Sequence, residues 1–181
     1  VLPPFDPFAG HLPPGWHSAT VEGFRQRCVD EFPPHFRREL QQPDAHRKRL
    51  FEGYLRLHEA LSELSIPTEQ WIGGYFVSGA PAPATIELVN FCDAQAYESL
   101  PAELRALIQR YFDGERTAQH CHCDSYMVTK GPPDHPCNAD YLKKHNFWHK
   151  RLAYDRDKRP RGIIGITIEA ALPEEATDAE A

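Results

Sequence analysis

Between residues 120 and 149 the chain sets out His120, Cys121, His122, Cys123, His135, Cys137, His145 and His149. These are the donor types from which tetrahedral Zn²⁺ sites are built. Cys121 and Cys123, joined by two of His135, Cys137 and His149, would complete such a site. The spacing fits no standard finger or ribbon, and the simpler reading makes Cys121 and Cys123 small buried apolar groups. A second stretch with chemical potential runs from Trp71 to Asn90. There Gly73-Gly74 permits a tight turn with exposed backbone N–H groups, the form of an anion nest. Thr85 and Glu87 stand two residues apart, so in a strand they project from one face. A strand over 120–124 would place His120, His122 and Asp124 on one face and the two cysteines on the other. His122 with Asp124 and Glu87 would then suit a transition metal. Glu87 facing solvent, or held in a salt bridge, is the plain alternative.

Such groups need strands and helices to bring them together. Leu50, Tyr54, Leu57, Leu61 and Leu64 recur at three and four residues, which predicts a helix over about 44–64 closed by Pro67. Arg47, Lys48, Glu52, Arg56, Glu59 and Glu63 are then available for its wet side. Further helices are expected from Thr20, whose hydroxyl can cap it, over 101–112 behind Ser99, and over 139–154 behind Asn138. In the last of these Tyr141, His145, Trp148 and Leu152 line one side. β-branched and aromatic runs predict strands over 70–78, 85–91, 120–129 and 162–170. Residues 1–19 read as a Pro-rich extended arm packed through Phe5, Phe8, Leu12 and Trp16. Residues 20–170 read as one domain, and 171–181 as a disordered acidic tail. For Trp16, Trp71 and Trp148 the core is the expected place.

With 181 residues, 41% of them hydrophobic, the chain is long enough to bury one core of its own. Its net charge of −6 gives no global field that would draw in nucleic acid. The basic runs 46–49 and 156–161 are accordingly read as solvated faces. No apolar run approaches the roughly 20 residues that span a bilayer, and no secretory signal opens the chain. Five cysteines, an odd number, suggest no disulfide framework and point to a reducing cytoplasm.

The order of these elements resembles the minimal nucleotidyltransferases. More closely, it is similar to an uncharacterised bacterial and phage-associated family within or beside that superfamily. The residues that carry the resemblance are Leu12-Pro-Pro-Gly-Trp-His-Ser-Ala-Thr20, His46-Arg-Lys-Arg-Leu-Phe-Glu-Gly-Tyr-Leu55, Gly73-Gly-Tyr-Phe-Val-Ser78, Pro83-Ala-Thr-Ile-Glu87 and Asp155-Arg-Asp-Lys-Arg-Pro-Arg-Gly-Ile-Ile164. The resemblance implies an α/β (α+β) fold, a mixed twisted sheet flanked by helices. It implies a nucleotide held by Gly73, Gly74, Ser78 and Thr85, with catalytic Glu87 and Asp124 on Mg²⁺. Gly74, Thr85 and Glu87 stand where the family pattern has Ser, Asp and Asp. A degenerate nucleotidyltransferase-like protein follows, binding a nucleotide or a macromolecular partner, in a toxin–antitoxin or phage-defence setting. Two alternatives stay open: an active single-metal enzyme on Glu87 and Asp124, and a zinc-stabilised interaction module.

Overall fold

Five strands, β1 (Gly15–Ser18), β2 (Thr68–Gly73), β3 (Ile86–Asp93), β4 (Cys123–Lys130) and β5 (Gly162–Ile168), form one mixed sheet in the order β1-β5-β2-β3-β4. This is a computed structural model, and it describes residues 1–36 and 43–170; the acidic tail 171–181 lies outside them. β2 runs antiparallel to both β3 and β5, whereas β1 lies parallel to β5 and β4 parallel to β3. A parallel pair needs a long crossover. Between β3 and β4 it is supplied by three short helices, α3 (Ala94–Ser99), α4 (Ala102–Ile108) and α5 (Gly114–Cys121). The expected mixed sheet flanked by helices is therefore the fold of this chain.

β2, β3 and β5 are buried along almost their whole length, because helices cover both faces of the sheet. On one face lie α1 (Val21–Arg25) and the long α2 (Pro43–Glu63), whose Leu50, Tyr54, Leu57 and Leu61 form the expected stripe in the main core. On the other face α6 (Asn138–Ala153) lays Trp148 and Leu152, with Tyr141, against Trp71, Val89, Phe91 and Ile163. Thr20 caps α1 as expected, its hydroxyl accepting from the Gly23 amide at 3.1 Å. Asn138 does not cap α6, since its side chain donates to the Pro133 carbonyl instead. Asp93, not Ser99, supplies the side-chain cap in the crossover, at the start of α3.

Three expectations change in instructive ways. The N-terminal arm contributes a strand, β1, and sends Leu2, Phe5 and Leu12 into the main core, while Phe8 is exposed. Residues 120 and 121 close α5 rather than open a strand, and His122 ends that helix in the left-handed region (φ 54°). The alternation of faces across 120–124 is lost there. Gly53 explains the close seat of α5: a Cβ on it would stand 2.1 Å from the Cys121 carbonyl oxygen.

Arg47 is the third. It is fully buried rather than on the wet side of α2. Its guanidinium donates to the carbonyls of Phe76 (2.8 Å), Ser78 (2.7 Å), Cys28 (3.2 Å) and Ala80 (3.2 Å), and lies 3.7 Å from the Phe32 ring centroid. Backbone oxygens cut off from water must be satisfied, and this fork satisfies those of the irregular segment after β2.

Two outcomes follow for urea denaturation. Arg47→Met leaves several buried carbonyls without a donor, each costing about 1–3 kcal/mol, so stability should fall by at least about 3 kcal/mol. Gly53→Ala gains about 1 kcal/mol of helix propensity but forces α2 and α5 apart. Overpacking of that kind costs about 1–3 kcal/mol, and a clash with backbone belongs at the upper end. The variant should be less stable than the parent.

Candidate functional site

Glu87 and Asp124 are register partners on the parallel pair β3–β4, so both project from the sheet face that α6 covers. Arg151, in the last turn of α6, reaches down to them. Its Nε donates to Glu87 Oε1 at 2.5 Å, and its Nη2 stands 3.9 Å from Asp124 Oδ2. Partial burial works against the charged guanidinium. The Glu87 hydrogen bond and the charges of Glu87 and Asp124 outweigh it, and hold the Arg151 pKa above its ordinary value. Tyr126, two residues along β4, faces the same way. Burial, then its hydrogen bond with Asp124, pushes the phenol pKa up. The result is an acid pair bridged by one cation.

The glycine turn is shaped by the same acid. Gly74 has φ 75°, a conformation that L side chains avoid. A Cβ there would lie 2.8 Å from Glu87 Oε2 and 3.0 Å from Glu87 Cβ. The Glu87 side chain thus occupies the space that any side chain at position 74 would need. Gly73 makes room for Leu152 of α6, 3.0 Å from where its Cβ would be.

The other two residues expected to bind nucleotide sit elsewhere. Ser78 is buried, its hydroxyl donating to the Tyr75 carbonyl at 2.8 Å and accepting from the Ala80 amide, while its own carbonyl receives Arg47. Thr85 lies in the bend before β3, half-buried, and does not share the strand face of Glu87.

Glu87 and Arg151 form one wall of a cleft of about 470 Å³. Around them stand Lys150, Arg156, Lys158 and Arg161, with Asp155 and the side chains of Tyr75 and Tyr154. Five cations face two carboxylates in a chain whose overall charge is negative. Two local structures hold the cations there. Arg161 is buried and caps the end of α6, donating to the Leu152 carbonyl at 2.9 Å and the Arg151 carbonyl at 3.3 Å. Burial draws its pKa below the ordinary value, and the charges of Glu87 and Asp155 work against that shift. Asp155 closes the following turn, accepting from the Arg159 amide at 2.8 Å and pairing with His11 Nε2 at 3.3 Å, while Lys158 adopts φ 62°.

A family model matches residues 3–167, and its description is a family of unknown function, DUF6932. The chain belongs to the DUF6932 family. No curated protein and no solved structure matches it. The DUF6932 match takes in the N-terminal arm, both glycines, α6 and the closing strand, and so every residue of the cleft.

Among the described residues no three His, Cys, Asp or Glu side chains gather as a metal-binding group. Cys121 and Cys123 flank the start of β4, whereas His135 and Cys137 lie beyond its far end. A strand of eight residues spans roughly 23 Å, too far for one ion. Burial raises the pKa of both Cys121 and Cys123, which opposes the thiolate that zinc requires. His135 and Cys137 do meet, Nδ1 to Sγ at 3.0 Å, with Glu98 3.5 Å from the other ring nitrogen. His122 turns away from the acid pair: burial first, then Arg49, Arg56 and His46, lower its pKa. His145 and His149 pack against the Trp71 ring.

The sequence points to Glu87, Asp124 and the two glycines, and not to Arg151 or to the cleft. The signal available was the pair Lys150-Arg151 followed at once by 156–161, a basic cluster at a helix C-terminus. The dipole makes that a favourable place for cations, which is also why a solvated face looked sufficient.

The backbone amide of Arg159, then His11, holds the Asp155 carboxyl below its usual range. A depressed folded pKa stabilises the protein above the unfolded value of about 3.9 and loses that contribution as pH falls through the folded value. Thermal melting of Asp155→Asn should therefore lie below the parent near about pH 6, and the two curves should converge as pH falls through the folded value.

Proposed function

We propose that this protein binds a nucleotide by its phosphates in the cationic cleft, as a nucleotidyltransferase-like scaffold in which Arg151 has taken the place of a metal. The observation that carries this reading is the guanidinium bridging Glu87 and Asp124 on adjacent parallel strands. Mg²⁺ requires oxygen ligands in near-octahedral array. Here Arg151 nitrogen already engages Glu87, and Thr85 lies outside the strand, so the donor set as arranged suits a guanidinium better than a divalent ion.

The chemistry then is binding. Glu87 orients Arg151 through Nε, and the terminal N–H groups not turned to Asp124 are left for a phosphate. Lys150, Arg156 and Lys158 add charge, and a local field of this sign attracts anions whatever the net charge of the chain. Gly74 brings backbone to the floor of the cleft without a side chain in the way.

Calorimetric titration with ATP tests this in EDTA and in Mg²⁺. Binding should persist in EDTA. Arg151→Met removes charge-assisted hydrogen bonds worth about 1.5–3 kcal/mol, and should weaken binding roughly 10- to 150-fold. Failure of every nucleoside triphosphate to bind would refute the proposal. The register of Glu87 with Asp124 also favours a second reading, an active single-metal nucleotidyltransferase. It expects Mg²⁺-dependent transfer of label from a nucleoside triphosphate to cell RNA or protein, lost in Glu87→Gln and in Asp124→Asn. No transfer with an active relative as control removes it.

A further inference from the structure

Beside the cationic cleft lies a smaller, mainly apolar pocket of about 200 Å³, walled by Trp16, His149, Ala153 and Ile163. Tyr154 and Arg161 line both, so the two cavities adjoin. From this adjacency we infer that the small pocket is a subsite for the aromatic base of a nucleoside polyphosphate whose phosphates lie in the cleft. The inference rests on the phosphate-binding reading given above and names the other half of the ligand.

The size of the pocket argues for a single ring system. Sites for whole drug-sized ligands occupy about 300–1,000 Å³, so a volume below that range suits one fragment of a molecule that continues next door. Its chemistry argues for an aromatic one. Trp16 is 43% exposed, whereas Trp71 and Trp148 are each 6% exposed. Trp16 is a wall of this pocket. The indole is nevertheless held firmly. It packs edge-on against Trp71 at 5.1 Å between centroids, lies over Gly165, where a Cβ would stand 1.9 Å from the ring, and donates through Nε1 to Ser18 at 3.2 Å. A large aromatic surface kept in one place and left uncovered is a stacking platform, and stacking a base on one is worth about 1–3 kcal/mol.

The position of Trp16 on β1, beside β5, sets the ring next to the end of α6, where Arg151 lies and which Arg161 caps. The N-terminal arm and the closing basic segment would thus grip opposite ends of one ligand. Tyr154 stands between the two, at the position of a sugar.

The experiment compares ATP, adenosine and inorganic tripolyphosphate by calorimetry and by tryptophan fluorescence on the whole chain. ATP should bind roughly 5- to 150-fold more tightly than tripolyphosphate. ATP and adenosine should quench emission from the accessible indole, and tripolyphosphate should not. Trp16→Leu should bring ATP affinity down to that of tripolyphosphate and leave the latter unchanged. Ala153→Leu, which fills the pocket with Trp16 in place, should do the same at an unaltered melting temperature. Equal affinities for ATP and tripolyphosphate, no quenching, and two neutral variants would overturn the base subsite while the phosphate cleft stands. Quenching by adenosine with no binding of tripolyphosphate would overturn the phosphate cleft and keep the ring site. Silence from all three ligands would overturn both.

Discussion

A buried guanidinium holds together the part of the chain that neither helix nor sheet can organise. Arg47 enters from the first turns of α2 and gathers carbonyls from Cys28 and from residues 76–80. Without it, the segment after β2 would carry polar oxygens into an aromatic interior of Phe24, Phe32 and Phe76. Lysine could not replace this geometry, because an ammonium on a flexible stem presents no planar fork. The turn fixed in this way places Gly74 and Tyr75 on the floor and wall of the cleft. The cleft is thus suspended from a residue that does not line it.

The legible and the hidden parts of the sequence divide along a physical line. Periodic apolar spacing was enough for α2, for α6 and for the strands that became β3 and β5. It was not enough for Arg47, since hydropathy assigns any guanidinium to water and has no means to weigh four carbonyls against that preference. Nor did it reveal α5, whose close seat on α2 depends on the absence of one Cβ at Gly53. Glu87 and Asp124 came into view through a resemblance, and their adjacency in register is a property of strand pairing that spacing alone does not contain. Arg151 stayed hidden because it meets them from a helix 64 residues later than Glu87 in the chain.

Gly74 and Glu87 are fitted closely to one another. The Glu87 side chain fills the space that a side chain on the turn at position 74 would take. The basic lining follows the same economy, since Arg161 both finishes α6 and contributes charge to the cleft. Local charge and net charge therefore have opposite signs here.

The strand order also sets a timetable for assembly. β2, β3 and β4 can pair as they leave the ribosome. β1, made before any of them, has β5 as its sheet neighbour, and β5 emerges after them all. The first strand must therefore wait, unpaired, through most of synthesis until β5 arrives and joins it to β2. Contacts between such distant parts of a chain form slowly. The surface around Trp16 is in that sense the last piece of the molecule to mature, and a nascent chain halted short of residue 162 would have its acid pair but no place for β1 to dock.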